Sequence, residues 1–477
     1  MRVKRFLVAS ACCALALLIL PQTAFAHGLV GRADLPIPEW LFFWAAAVVL
    51  LVSFAALSLL WPKPKLEDGE RFRPLPRWLS RAIVNPVTDV LAGAIGVFLL
   101  GLTIVSGIFG VQAPAISNWA PTFIYVIFWV GLVPASIIFG DVFKAFNPWR
   151  AIARATGFVV SRVTGSLPDP FPYPERLGRW PAVATIFGFA WIELAYTSRE
   201  DPSALAIATL LYTAITLLAI AVYGSEQWIA KGEGFSVYFN LFSRISPLAV
   251  KDGTLGLRLP LSGLPKLVPV PGTVPLLMVM LGTVTFDGAS EGPLWRNTGG
   301  WIQDRFVDIG IGQADATTLS FTLGMLLGIG VISLIYGIGI AGARTVGEEP
   351  PAHLSRKFVH TLVPIAAVYV IAHYFSFLLY NGQSIIYLAS DPLGEGWNLF
   401  GTADKGIDYT VIGAKGIWYG QVTALVIGHV CGLILAHDRA LSLYSNVKDA
   451  VRSQYWMLLM MIGYTTFGLL LLSLANQ

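Results

Sequence analysis

The chain has 477 residues, of which 55% are hydrophobic and only 13% are charged. Soluble domains carry about 25% charged residues, so this composition excludes an ordinary soluble globular protein. The formal net charge is +4, and no glycine-rich phosphate loop or nucleotide-binding fingerprint occurs in the hydrophilic loops. The sequence therefore indicates a membrane protein that is not driven by ATP and that does not bind nucleic acid.

The first segment has the features of a signal peptide rather than of a membrane span. Three basic residues precede an apolar core at residues 6–20, which is too short to cross a bilayer with ease. Ala24 and Ala26 then fit the small-x-small rule for signal peptidase. We expect residues 1–26 to be removed and residues 27–477 to form one integral membrane domain. The alternative is an uncleaved signal anchor.

About ten further apolar stretches are long enough to be membrane-spanning helices, which need about 20 predominantly apolar residues each. In a bilayer only a helix satisfies its backbone hydrogen bonds within one segment. The predicted fold is therefore an all-α, polytopic transmembrane helical bundle. The predicted spans lie near residues 37–61, 86–111, 119–143, 180–197, 204–223, 269–287, 317–341, 357–380, 419–436 and 454–474.

The basic residues fall almost entirely on alternate loops. The loops after the first, third, fifth, seventh and ninth spans, together with Lys357 at the start of the eighth span, hold 23 lysine and arginine residues, whereas the opposite loops hold six. The positive-inside rule assigns the richer set to the cytoplasm. We therefore predict a multi-pass cell-membrane protein whose mature N- and C-termini both lie on the extracytoplasmic side. The predicted cytoplasmic segments are residues 62–85, 144–179, 224–268, 342–356 and 437–453.

The opposite loops are acidic, with 13 aspartate and glutamate residues against six basic ones. Two of them, at about 288–316 and 381–418, are long enough to be structured and could cover a cavity. The simple explanation is that external loops lack lysine and arginine. The functional alternative is that these loops form the entrance to a cavity and attract cations.

Three segments on the basic side have patterns of their own. Residues 143–163 and 235–246 mix aromatic and basic residues, as helices that lie in the headgroup layer do. Residues 247–262 are typical of a small β-hairpin, with Asp252 and Gly253 at its turn. These features predict surface structure rather than chemistry.

Ionisable residues within apolar spans are costly to bury in a membrane and are therefore candidates for function. Glu193 lies in the outer part of the fourth span, His373 in the outer half of the eighth, and His429 near the middle of the ninth. Two imidazoles and a carboxylate make a metal site of the catalytic type, with one position open for water or substrate. We predict that the three side chains bind a divalent metal ion or relay protons. The alternative is that each makes an ordinary interhelical hydrogen bond.

Cleavage after Ala26 would make His27 the first residue of the mature chain. An α-amine and an imidazole on one residue form a chelating pair that suits copper. The alternative is that signal peptidase leaves a histidine there by chance. Soft sulfur ligands within the spans are Met278, Met280, Met457, Met460 and Met461.

The segment from His27 to Leu41, which reads HGLVGRADLPIPEWL, resembles the start of bacterial polytopic membrane proteins labelled fenitrothion hydrolase. The length and the number of spans are also similar. The resemblance implies an enzyme of the bacterial envelope that cleaves an organophosphate triester and releases a nitrophenol. It assigns no catalytic residue in this chain. A second likeness, to copper-resistance membrane proteins with a processed N-terminal histidine, depends on His27 and the intramembrane histidines.

Two functions follow from these patterns. The first is a membrane-bound, metal-assisted hydrolase of organophosphate esters, in which Glu193, His373 and His429 hold a metal whose hydroxide attacks phosphorus. The second is a transporter or permease for a small solute or a metal ion such as copper, in which the same residues bind substrate or protons. The expected partners are the lipid bilayer and a small-molecule substrate or ion.

Overall fold

A computed structural model of the chain describes residues 39–67, 71–346 and 353–475. The predicted signal peptide and His27 lie outside these residues. The structure is mostly helical, at 73%, which agrees with the predicted all-α bundle.

All ten predicted spans are helical, and we label them α1 to α10. Within the described residues, nine of these helices are long and apolar enough to cross a membrane. The tenth, α4, is apolar but has only 15 residues. The chain is therefore a multi-pass membrane protein. The bounds are Glu39–Leu60 (α1), Pro86–Phe109 (α2), Trp119–Phe139 (α3), Trp180–Leu194 (α4), Pro202–Tyr223 (α5), Thr273–Ser290 (α6), Gln313–Ala343 (α7), Leu354–His373 (α8), Ala414–Leu443 (α9) and Tyr455–Ala475 (α10).

Shorter helices connect or extend the long ones. Two long helices also contain irregular turns: α3 is π-helical over Thr122–Gly131, and α8 is 3₁₀-helical over Val359–Leu362. The connecting helices are Arg77–Ile83, Val142–Phe146, Pro148–Thr164, Ser225–Lys231, Gly234–Ser243, Pro293–Asp308, Phe375–Asn381, Ile385–Ser390 and Val447–Ser453, with 3₁₀ turns at Ala115–Ser117 and Gly382–Ser384.

Local sequence explains where several helices begin. The side chain of Asn85 accepts hydrogen bonds from the first turn of α2, and Asp201 does the same for α5. In both helices a proline occupies the first position, where its missing N–H is not needed. These caps stabilise helix ends that would otherwise leave backbone donors unsatisfied.

The loops after α1, α3, α5, α7 and α9 meet at one end of the bundle, which we call the basic end. Arg439, near the end of α9, lies 2.8 Å from Glu67 in the loop after α1 and donates to the carbonyl of Pro265 after α5. Arg150, after α3, is paired with Asp89 at the start of α2. The alternation of basic loops predicted from the sequence therefore corresponds to one physical face of the structure.

The remaining loops meet at the opposite end, which we call the acidic end. The N–H of Val111, after α2, donates to the carbonyl of Leu393, after α8, at 2.7 Å. The Tyr125 hydroxyl at the start of α3 donates to the carbonyl of Arg199, after α4, at 2.8 Å. Hydrogen bonds to backbone carbonyls therefore connect the segments of the acidic end.

A small sheet lies at the basic end and confirms the predicted hairpin. Strands β2 (Leu248–Lys251) and β3 (Thr254–Leu257) are antiparallel. Asp252 and Gly253 at the turn both have positive φ, at 48° and 72°, as a tight two-residue hairpin requires. The sequence did not predict the third strand, β1 (Arg73–Pro74), which pairs with β3. This strand joins the loop after α1 to the loop after α5.

The two predicted headgroup helices have different outcomes. Pro148–Thr164 is amphipathic and exposes Phe158 and Val163, as predicted for a surface helix. The prediction for residues 235–246 is wrong, because most side chains of Gly234–Ser243 are buried. Its aromatic residues pack against other aromatic rings of the core rather than against lipid.

The helix at the centre of the bundle is α6, and its side chains are buried along almost the whole length of the helix. A helix that is apolar on every side is typical of such a buried position. Gly282 of α6 lies so close to α7 that an added Cβ would be only 2.5 Å from the Cα of Ile329. The absence of a side chain therefore permits close packing of α6 and α7.

A buried carboxylate organises the basic end. Asp438 of α9 is fully buried and accepts hydrogen bonds from the indole of Trp61 and from the backbone N–H groups of Lys65, Leu66 and Glu67, at 2.6–3.0 Å. These donors fix the chain that leaves α1 against α9. Four donors on one carboxylate offset its burial.

Candidate functional site

Three helices bring ionisable residues together in their last turns, at the acidic end. Glu193 is the penultimate residue of α4, Asp287 is in the last turn of α6, and His373 ends α8. Tyr374 follows at once, before the helix Phe375–Asn381 begins. We refer to Glu193, Asp287, His373 and Tyr374 as the carboxylate–histidine cluster.

The cluster is connected by short contacts centred on Asp287. Its Oδ2 atom lies 2.7 Å from Nε2 of His373 and accepts a hydrogen bond from the Tyr374 hydroxyl at 2.8 Å. The same hydroxyl lies 3.1 Å from Oε1 of Glu193. One tyrosine therefore links two carboxyl groups that belong to different helices.

The distances in this arrangement favour one distribution of protons. A hydroxyl group carries one proton, so Tyr374 can donate fully to only one of its two carboxyl neighbours. The other contact is satisfied when that carboxyl group itself carries a proton and donates to the tyrosine oxygen. The shorter contact, to Asp287, suits donation by Tyr374, which leaves Glu193 as the protonated partner. Two carboxyl groups that share one site favour this state, because both cannot easily be ionised together.

Burial and helix geometry also favour a protonated carboxyl group in the cluster. Glu193, Asp287 and Tyr374 are only 5%, 3% and 1% exposed. The C-terminal end of a helix carries partial negative charge, so three converging C-termini disfavour two ionised carboxylates. Charge within apolar spans is itself costly. The site therefore favours a bound proton or cation.

The backbone around the cluster is irregular. Helix α8 is interrupted at Tyr374, and the chain resumes as Phe375–Asn381. That second helix packs against the π-helical part of α3. π-helical turns occur often at functional sites, and interrupted helices are typical of binding sites in transporters. Both irregularities lie beside the same four residues.

A cavity of about 20 Å³ lies next to His373. It is lined in part by Thr285, Gly288 and Tyr369. Its volume is sufficient for one water molecule, and its lining includes the polar groups that a water would need. Next to it, the Thr285 hydroxyl lies 2.8 Å from the hydroxyl of Tyr464. Polar groups therefore extend from the cluster toward the middle of the bundle.

His429, the third predicted site residue, has separate contacts. Its Nδ1 atom lies 2.7 Å from the carbonyl oxygen of Leu425, one turn earlier on α9. Its ring packs against Tyr369 and Tyr464, with centroid distances of 5.9 and 6.1 Å. The Nε2 atom is buried and has no hydrogen-bond partner among the described residues. The structure therefore brings Glu193 and the His373 region together, while His429 lies against neighbouring tyrosines.

Across residues 39–67, 71–346 and 353–475, no group of three or more His, Cys, Asp or Glu side chains is arranged to hold a metal ion. A divalent metal held by Glu193, His373 and His429 stays a prediction. The proposed copper ligand His27 lies outside the described residues.

Sequence reasoning missed two members of the cluster. Asp287 ends the sixth predicted span, and we counted it among the acidic residues of the external side. Tyr374 is adjacent to His373 but lies on another face of the helix. One sequence feature could have identified Asp287 as a site residue: like Glu193 and His373, it lies within the last turn of an apolar span.

In comparisons with protein-family models, with curated proteins and with solved structures, the chain gives no match.

Proposed function

We propose that this chain is a proton-coupled permease for a small solute or a metal ion, with the carboxylate–histidine cluster as its proton-binding site. The observation that carries the proposal is the Tyr374 hydroxyl, which lies within hydrogen-bond distance of both Glu193 and Asp287. A carboxyl, a phenol, a carboxylate and an imidazole then form one connected chain. Such a chain can gain or lose a proton with little movement of heavy atoms.

The surroundings of the cluster support transport. A coupled transporter needs a group that changes charge inside the bundle, together with backbone that can rearrange. The carboxyl groups supply the first, and the interruption of α8 at Tyr374 supplies the second. The acidic loops favour the approach of cations to this end.

We infer that the basic end faces the cytoplasm of a bacterial cell and the acidic end faces outward. The excess of 23 basic residues over six supports this orientation. Single cysteines replacing Ser166 and Gly300 test it, because the two positions lie at opposite ends. Ser166 is exposed, and Gly300 is half-buried but has open space around the position of an added Cβ. An impermeant thiol reagent applied to intact cells should label G300C and spare S166C. The reverse pattern would reject the orientation.

The function is tested with purified protein in liposomes that contain a pH-sensitive dye. An imposed pH difference, with candidate solutes or metal ions on the outside, should produce proton movement across the wild-type protein. Asp287→Asn should abolish it, whereas Asp304→Asn, an exposed residue of the same end, should behave as wild type. Equal proton movement in all three proteins would refute the proposal.

Hydrolase activity, which the resemblance predicts, can be measured in the same preparation. A chromogenic phosphotriester is added with and without a chelator. Metal-dependent turnover that Glu193→Gln and His429→Gln both abolish would favour a metal-assisted hydrolase. Proton movement without such turnover would favour the permease.

A further inference from the structure

A second feature of the structure is independent of the proton site. A groove of about 800 Å³ opens on the side of the bundle between α4 and α7. Its floor is α6, which contributes Val274, Met278 and Val279. Its walls are almost entirely apolar.

The groove has a closed end and an open end. Toward the acidic end, the indole of Trp191 on α4 donates to the Thr322 hydroxyl of α7 at 2.8 Å. One turn closer to the basic end, Phe187 and Leu326 already line opposite walls. The groove therefore begins just below the Trp191–Thr322 hydrogen bond and continues to the basic end at Arg344.

The dimensions of the groove suit a long apolar chain. On α7 the lining extends from Leu326 to Arg344, which corresponds to about 27 Å of helix. On α4 the lining residues from Trp180 to Phe187 form one face of the helix. Because these helices are apolar spans, the groove opens toward the hydrocarbon region of the bilayer. An acyl chain is the molecule that meets this surface in a membrane.

The open end carries positive charge. The side chain of Arg344 is exposed and makes no ion pair with any residue that the structure describes. Residues of the first turns of α4 and α6, Trp180 and Val274, line this end of the groove, and neither helix has a side-chain cap. Helix N-termini attract anions, and a guanidinium group matches the geometry of a phosphate. The open end is therefore complementary to a phosphate group at headgroup depth.

We propose that the groove between α4 and α7 is a binding site for an anionic phospholipid. The acyl chain lies on α6 between the two walls, and the headgroup phosphate contacts Arg344. Trp180 at the opening is at the depth where tryptophan is enriched in membrane proteins. The lipid would lie between two helices that a hydrogen bond from Trp191 to Thr322 joins near the acidic end.

Two glycines of α7 allow a matched steric test. Gly337 lines the groove and Gly330 does not, and an added Cβ meets no atom within 4 Å at either position. Gly337→Trp places a large side chain in the groove, whereas Gly330→Trp adds the same side chain elsewhere on the helix. The protein is purified from mixed vesicles of phosphatidylglycerol and phosphatidylcholine, and retained lipid is measured by native mass spectrometry.

Charge is tested in the same way. Arg344→Gln removes the charge at the groove, and Arg81→Gln removes one from an exposed residue at the same end. The wild-type protein should retain phosphatidylglycerol in preference to phosphatidylcholine. Arg344→Gln should reduce that preference about fivefold, as expected for one basic residue at a membrane surface. Gly337→Trp should reduce retention of both lipids, and the two control variants should match the wild type.

Two results would overturn the proposal. Unchanged lipid retention in Gly337→Trp would show that retained lipid lies elsewhere on the protein. Equal retention of the two phospholipids by the wild type and by Arg344→Gln would show that no anionic headgroup is recognised. Thermal melting of each variant identifies any that is misfolded, and Gly337→Ala then serves as a milder replacement.

Discussion

The Tyr374 hydroxyl donates a hydrogen bond to Oδ2 of Asp287 at 2.8 Å, although the two residues lie on different helices and 87 positions apart. This contact joins the end of α6 to the interruption of α8. Because the same hydroxyl also approaches Glu193, the protonation of each of these groups is coupled to that of the others. The cluster should therefore respond to mutation as a unit.

Tyr374→Phe removes the link between the carboxyl groups while keeping the aromatic ring. We expect proton movement in liposomes to fall about tenfold or more, because a hydrogen bond to a charged group contributes about 1.5–3 kcal/mol. Tyr387→Phe is the control, since its hydroxyl makes one peripheral contact with the carbonyl of Ile116. A Tyr374→Phe protein with full proton movement would show that the hydroxyl is not part of the path.

A protonated carboxyl group should be present at neutral pH. Glu193 is the expected carrier, because donor counting around Tyr374 leaves a proton on its side. Infrared difference spectroscopy during a pH jump should show a carboxylic acid band that disappears in Glu193→Gln. The band should persist in Glu226→Gln, which alters a largely exposed glutamate. A band that survives in Glu193→Gln and vanishes in Asp287→Asn would assign the proton to the aspartate instead.

Much of the fold could be predicted from the sequence because membrane helices are determined by local composition. Apolar length alone gave the ten helices, and the distribution of basic residues gave the two ends of the bundle. The hairpin was also predictable, since Asp252-Gly253 is a local turn signal. The strand Arg73–Pro74 was not, because its partner is far away in the chain.

The candidate site was predictable only in part. Depth within a span identified Glu193 and His373, because the energetic cost of burying charge is local. Which helices lie side by side depends on packing, and sequence order does not reveal it. For that reason Asp287 of the central helix was missed, and the shared site of Glu193, His373 and His429 stays a prediction.

His373 and His429 should respond differently to mutation. His373→Gln alters the group that approaches Asp287, so proton movement should fall about tenfold. His429→Gln should leave proton movement within about twofold while lowering the melting temperature, because the ring is buried between Tyr369 and Tyr464. Elemental analysis of the purified proteins completes the comparison. A stoichiometric metal that is lost in both variants would instead support the predicted metal site.

Asp438 should be one of the most sensitive residues for stability at the basic end. Asp438→Asn keeps the shape of the side chain, but each carboxylate oxygen accepts two of the four hydrogen bonds, so the new N–H₂ group faces two N–H donors. We expect a loss of about 3 kcal/mol, because buried donors are left unsatisfied. Thermal melting in detergent measures the effect.

The matched control for that substitution is Asp169→Asn, an exposed residue at the same end, which should change the stability by less than about 0.5 kcal/mol. Equal melting temperatures for Asp438→Asn and the control would mean that the loop after α1 is held by other contacts. The β1–β3 pairing and the contact between Arg439 and Glu67 are the remaining candidates. A double variant that adds Arg439→Gln would then distinguish them, because its loss of stability would report the Arg439 contact without disturbing the sheet.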